Sequence, residues 1–415
     1  MKKILFLVWM ALLVFSNLAA QNSGRFSVGA ASAIISPKPG AYIAGGDQNR
    51  KFTGVHDDLY VKAVVISNET TSIAIFTVDC IGMLYPQLLQ VRQAVLKMVP
   101  EFPADQIIMS STHTHSGPDV VGLWGPDLQH SGVDNIYLRE IVATAASQIV
   151  KAYQNRKPAI PRYANTVHGQ GWVENISQPA ELDRSVTILQ FVDRRYRNIA
   201  TLTNFACHPT ILDGTTTDVS ADYVAGFYET LDKAQGGVNM FLQGAIGGWV
   251  QPEHVPRTFV AAYEKGYGLA AAVVAALKNP QSIESNDIAF KRKVISLPVE
   301  NEGFRQLAAI QVIKRKITDS VSTELVMFDI GEAKFATHPG ETVPAMGLAT
   351  KGMMKTDGPK FILGLGMDAL GYILKPAFFN PDAKIPHSEY LCSMSLGPKT
   401  MDLIMQEIDA LVRGN

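Results

Sequence analysis

Cysteine is scarce in this sequence: three among 415 residues, at Cys80, Cys207 and Cys392. An odd count at that density excludes a disulfide scaffold, and the apolar neighbours of each thiol point to buried, reduced cysteines. Charge of one sign is equally scarce. The 37 Lys and Arg stand against 38 Asp and Glu, and no five like charges occur in a row. No basic surface is available to displace counterions from phosphates, which excludes a nucleic-acid partner. Beyond residue 20, no stretch reaches the ~18 apolar residues needed to span a bilayer. No G-x-G-x-x-G or Walker-type loop stands where a strand would meet a helix, so nucleotide folds are not indicated. Repeats and low-complexity linkers are missing as well. What remains is 47% hydrophobic and 18% charged, ample for a large core and unlike a disordered chain.

The one long apolar run lies at the start. Lys2 and Lys3 precede an apolar run over residues 4–15, and Ser16-Asn17-Leu18-Ala19-Ala20 ends it in small residues. That order predicts a secretory signal peptide over residues 1–20 and an exported protein, periplasmic or secreted. No cysteine follows the run to suggest a lipid anchor.

Apolar runs of strand length are expected at 61–67, 72–78, 106–111, 186–192, 198–206, 238–242 and 325–330. Helical periodicity is expected at 87–98, 136–153, 221–234, 260–277 and 342–354. This alternation predicts an α/β architecture with mixed sheets flanked by helices. The polar stretch 281–287 is the best place for an internal boundary, although composition is alike on both sides.

Chemistry concentrates in the histidines. Thr112-His113-Thr114-His115-Ser116-Gly117-Pro118 follows an apolar strand, and in extended chain residues i and i+2 project to one side. Phe205-Ala206-Cys207-His208-Pro209 closes a second strand, again at a carboxyl end, where open α/β sheets place ligands. Glu341, in His338-Pro339-Gly340-Glu341, stands at the expected start of a helix, where the dipole alone would explain an acid. Two imidazoles and a carboxylate are also the donor set of catalytic zinc.

These segments, with Gly54 to Tyr60, Leu242 to Gly248, Gly371-Tyr372 and Glu389-Tyr390, resemble the catalytic domain of the neutral, non-lysosomal ceramidases. The resemblance runs over most of 27–415 and implies one catalytic domain over 21–415, without the C-terminal β-sandwich of those enzymes. It implies zinc (Zn2+) held by His113, His208, Glu341 and Tyr372. His115 and Tyr390 would flank the scissile amide, His115 moving a proton and Tyr390 bonding a developing oxyanion. For both tyrosines an ordinary packing role remains open.

Two departures stand out. The family's Gly-Asp-Val-Ser-Pro loop is Gly244-Ala245-Ile246-Gly247-Gly248 here, so its serine and aspartate are gone and an acyl-serine is excluded. The family's short arginine segment is matched by 174–179, which has no arginine before Arg184. The expectation is an exported zinc hydrolase that uses water directly on an N-acyl lipid, an amino-lipid or an N-acylated sugar. An esterase or lactonase, and a non-catalytic zinc-binding protein, are the alternatives. Asp222 either orients a ligand histidine or caps a helix; His56-Asp57-Asp58 either lines the site or forms a turn. Asp79, at a strand's carboxyl end, is a candidate to support the site from behind, and Trp124 and Trp249 either pack on an apolar or sugar-like substrate or are ordinary packing tryptophans.

Overall fold

A computed structural model describes residues 26–414, so the expected signal peptide lies outside the described residues. Eight strands form the body of the larger sheet: β1 (Phe26–Ile34), β2 (Tyr60–Ser67), β3 (Ser72–Val78), β4 (Ile107–Ser111), β5 (Lys157–Val167), β6 (Ser185–Val192), β7 (Asn198–Phe205) and β8 (Val238–Gln243). Their order is β8-β7-β6-β5-β1-β2-β3-β4, and the ninth strand of the sheet, Gln281–Ser282, pairs with β5. The outermost pairs, β3 with β4 and β7 with β8, are parallel; the inner pairs are antiparallel.

Strands β2 and β3 are apolar almost throughout because both of their faces are covered. On one face lie the helices α1 (Tyr85–Met98) and α2 (Asn135–Gln154). The Asp134 carboxylate starts α2 by accepting from the amides of Ile136 and Tyr137. Strand β8, at the opposite edge of the sheet, packs across β1 to β4, so the sheet curls and its parallel ends approach each other. Helices α3 (Tyr223–Gln235) and α4 (Phe259–Ala276) pack on each other and on β8 and β5.

The polar stretch at 281–287 marks the passage to a second sheet. Strands β9 (Ile288–Pro298), β10 (Ser320–Ile330), β11 (Ala333–Thr337) and β12 (Lys360–Leu363) follow in that order across it. Phe328, Phe335 and Phe361 stack across neighbouring strands at 4.4 and 4.3 Å. Helices α5 (Glu302–Ala309), α6 (Pro344–Met353), α7 (Ser388–Ser393) and α8 (Thr400–Arg413) complete the chain. The two sheets share one contiguous core. At the end of β7, Asn204 donates to the carbonyls of Leu242, Gln243 and Ile362 and accepts from the Ile362 amide, which ties β7, β8 and β12 at one point. Buried Arg92 on α1 grips Glu324 on β10 through two bonds of 2.8 and 2.7 Å. No described helix is long and apolar enough to cross a membrane.

Candidate metal centre

The site forms where β4, β7 and the segment between β11 and α6 leave their layers. Strand β4 stops at Ser111, and His113 adopts φ +69°. The rings of His113 and His115 meet, with centroids 5.0 Å apart, but not by the expected alternation of extended chain. A left-handed turn at His113 brings them together, a conformation that costs an L residue about 1–2 kcal/mol. Room for the His115 ring comes from Gly45, where an added Cβ would lie 2.4 Å from Nδ1. His208 lies 4.9 Å from His113 and 5.8 Å from His115, ring to ring.

Glu341 is not at a helix start. Residues Glu341–Thr342 form a short strand paired in parallel with Tyr372–Ile373, Glu341 opposite Tyr372, and α6 begins only at Pro344. The prolines at 339 and 344 explain the shift, since the residue before proline is steered to extended backbone. Pairing with 372 is what delivers the carboxylate and the phenol to one place.

The donor atoms converge. Glu341 Oε2 lies 2.9 Å from His208 Nε2 and 3.5 Å from His113 Nε2, and His115 Nε2 lies 3.4 Å from His113 Nε2. His113, His115 and His208 bring their ligand atoms within 4.8 Å of one another. Each imidazole is held from behind through Nδ1: His113 by the Ile81 carbonyl at 2.5 Å, His208 by the Val250 carbonyl at 2.8 Å and His115 by Asp213 Oδ2 at 3.2 Å. An N–H engaged at Nδ1 leaves the Nε2 lone pair aimed at the centre, the tautomer a metal needs. The residues therefore fit a divalent cation.

Burial opposes a charge on Glu341, but His113 and His208 outweigh it and hold the carboxylate well below its usual range. Burial lowers His208, whereas at His113 the Glu341 charge overcomes burial and raises it. The Tyr372 hydroxyl accepts from Trp249 Nε1 at 2.8 Å and bonds Glu341; burial, then that negative charge, push it well above 10. Tyr390, on α7, is exposed and stands 5.6 Å from Trp249 and 6.5 Å from Tyr372, at the mouth rather than in the centre.

Several supporting residues carry no local motif. Gln243, the last residue of β8, donates to the carbonyls of Thr112 and Cys207 and accepts from the Cys207 amide, clamping both histidine loops. Its position at a strand's carboxyl end was the available signal. His338 is fully buried between the hydroxyls of Thr342 and Thr350, at 2.8 and 3.1 Å, and burial holds it neutral with a pKa of about 3. Asp213, five residues beyond His208 in a loop with no motif of its own, orients His115.

Other candidates turn out to brace the framework. Asp222 accepts from the amides of Leu212 and Tyr223, so it caps α3 and orients no histidine. Asp57 accepts from Ser220 Oγ and the Ala221 amide, Asp58 from Ser36, and His56 stacks on Phe259 at 3.7 Å. Asp79 is buried against the Tyr60 amide and Tyr228 hydroxyl, and burial raises it to about 6. Arg184 donates to the Gly169 carbonyl, while the 174–179 segment supports the Gly248-Trp249 turn, the Ile176 amide donating to the Trp249 carbonyl and the Ser177 amide to the Gly248 carbonyl. Cys80 and Cys207 are buried and Cys392 half-buried; all three are free thiols.

Two clefts meet at the centre. One, of about 790 Å³, is lined mainly by apolar side chains, among them Leu84, Val121, Leu123, Trp124, Ile313 and Leu370. The other, of about 850 Å³, carries Thr210, Asp213, Gln251 and Arg257. His115, Tyr372 and Tyr390 line both.

The structure is similar to that of neutral ceramidase from Pseudomonas aeruginosa, at 15% identity and a TM-score of 0.76 over 94% of this chain and 74% of that one. A ceramidase complexed with C2 matches equally, at 15% identity and a TM-score of 0.75, over 94% of this chain and 75% of the other. These likenesses establish the fold. The family profile of the neutral/alkaline non-lysosomal ceramidase N-terminal region matches residues 29–266, more than half of the sequence. The chain belongs to the neutral/alkaline non-lysosomal ceramidase family.

Proposed function

We propose that this protein is an exported zinc-dependent hydrolase that cleaves the amide bond of an N-acyl lipid or related N-acylated compound with water as the nucleophile. The observation that carries the reading is the convergence of His113 Nε2, His208 Nε2 and Glu341 Oε2, with both histidines already fixed in the metal-binding tautomer. Tyr372, bonded to Glu341, supplies a fourth donor. When bound, zinc supplies Lewis acidity toward a carbonyl and acidifies water.

The chain's own residues do the rest. His115, its Nδ1 held by Asp213, receives the water proton at Nε2 and passes it to the leaving nitrogen. Tyr390, at the mouth both clefts share, donates to the carbonyl oxygen as charge develops. Gly247 supplies no nucleophile: an added Cβ there would lie 2.4 Å from the Glu341 carbonyl oxygen, so the loop packs directly on the strand that carries Glu341. Family membership and the apolar cleft support a lipid acyl group. Export rests on residues 1–20 alone.

Elemental analysis of the purified protein, beside hydrolysis of a panel of amides, esters and lactones sharing one acyl chain, tests the reading. About one zinc per chain, amide turnover, and loss of both in His113→Ala are expected. A metal-free active protein, or unchanged activity in His113→Ala, would overturn it. Turnover of esters or lactones alone would replace amidase by esterase.

A further inference from the structure

The two clefts differ in chemistry, and a narrower substrate class follows from that difference. Because His115, Tyr372 and Tyr390 line both, a ligand with its carbonyl at the centre sends one half into each. The apolar cleft suits an acyl chain. A two-chain lipid would need a second continuous apolar bed for its amine half, and the other cleft is mixed, with Thr210, Asp213, Gln251 and Arg257 set among Ile211, Trp249, Pro252 and Val255.

Arg257 is the only Lys or Arg among the residues lining that cleft. It lies in the loop just before α4, exposed, and one Nη donates to the Asp213 carbonyl at 2.9 Å. That single bond anchors the guanidinium at the rim, and no carboxylate lies within ion-pair distance of it among the described residues. A planar fork with donors to spare is a carboxylate receptor. Asp213 sets the polarity of the inner end. One of its oxygens holds His115 and the other accepts no hydrogen bond, so the carboxylate repels a second anion from the neighbourhood of His115. The nitrogen of an N-acyl amino acid is a neutral amide, so the one charge to be matched is the α-carboxylate, and Arg257 is the cation lining that cleft that matches it.

Building on the amide-hydrolase reading, we propose that the substrate is a single-chain N-acyl amino acid, its acyl chain in the apolar cleft and its carboxylate on Arg257. Hydrolysis adds the water oxygen to the acyl carbon, breaks the C–N bond and leaves the water protons to the nitrogen and solvent, giving a fatty carboxylate and a free amino acid.

The test uses the zinc-loaded protein and two readouts. Binding is measured by calorimetry with uncleavable decanesulfonyl-glycine and its neutral glycinamide counterpart. Turnover is measured on N-decanoylglycine, N-decanoylethanolamine and N-decanoylsphingosine. The glycine compound is expected to bind about tenfold tighter or more than the glycinamide. Arg257→Gln is expected to erase the preference and Arg257→Lys to keep part of it, with melting temperatures unchanged because the side chain is exposed. Equal affinities in the wild type, a preference that survives Arg257→Gln, or faster cleavage of the sphingosine amide than of the glycine amide would each overturn the proposal. A binding preference with no amide cleaved would uphold the Arg257 anion site and overturn the hydrolase reading instead.

Discussion

Asp213 governs what His115 is free to do. Its Oδ2 fixes Nδ1 and so aims Nε2 at the centre, 3.4 Å from His113 Nε2. The geometry allows His115 to serve as a proton carrier or as a further ligand, and Asp213→Asn separates the two. An amide presents an N–H as readily as an oxygen, so the favoured tautomer is lost. If His115 moves protons, kcat falls about 10²-fold or more with KM and bound zinc nearly unchanged. If His115 is a ligand, zinc affinity falls about 10- to 100-fold as well. Kinetics and a zinc titration on one variant decide it. His338 makes a different prediction. Burial lowers its pKa to about 3, so below ~6.5 the unfolded chain binds a proton that the folded chain refuses. The stability this group contributes is complete above ~6.5 and is lost as pH falls, at up to about 1.4 kcal/mol per unit. Urea denaturation of the wild type and His338→Gln between pH 7 and 5 should therefore show the wild type losing more. Parallel slopes would mean that His338 titrates normally.

At the scale of elements, the loop after β8 acts as a brace for the strand that carries Glu341. The Gly247 amide donates to the Thr342 carbonyl at 2.8 Å, and the missing Cβ is what allows that approach. Restoring the family's serine by Gly247→Ser would press Cβ against the backbone of Glu341 and Thr342. We expect a loss of about 1–3 kcal/mol in stability and weaker zinc binding, with no gain of a covalent acyl intermediate. Trapping of an acyl-enzyme by mass spectrometry in that variant would contradict this account. Strands buried along nearly their whole length, such as β2, β3, β6 and β7, are legible in the sequence because burial on both faces keeps their composition rich in apolar and β-branched residues. Strand β5 was hidden by Pro158 and Pro161, which argue against a strand, and β9 by its largely exposed, charged surface. The short strand at Glu341 carries no sequence signal of its own because no periodicity operates over two residues; only its partner at Tyr372 defines it. Histidines at strand ends were legible for the same reason that Asp213 and Arg257 were not: the former follow regular elements, the latter sit in loops whose path is set by tertiary contacts.

Across the whole molecule, the candidate centre is a seam. His113 follows β4, His208 follows β7, and Glu341 and Tyr372 come from the region of the second sheet, so the donors bridge both sheets although they lie as far apart in sequence as 113 and 372. Asn204 and the Arg92–Glu324 pair fasten the same two layers at other points. A cation gripping all of these segments binds the folded chain and not the unfolded one, and its binding free energy adds to global stability. Zinc at about a thousand times its dissociation constant should contribute roughly 4 kcal/mol, and a chelator should remove it. Scanning calorimetry of the metal-free and zinc-loaded protein is expected to show one cooperative transition that moves upward with zinc. The shift should disappear in Glu341→Gln, which keeps the shape but weakens the ligand. Two separate transitions, of which only one responds to zinc, would mean that the sheets unfold independently and that the seam does not couple them. A melting temperature indifferent to zinc would mean that the converging donors hold no metal at all.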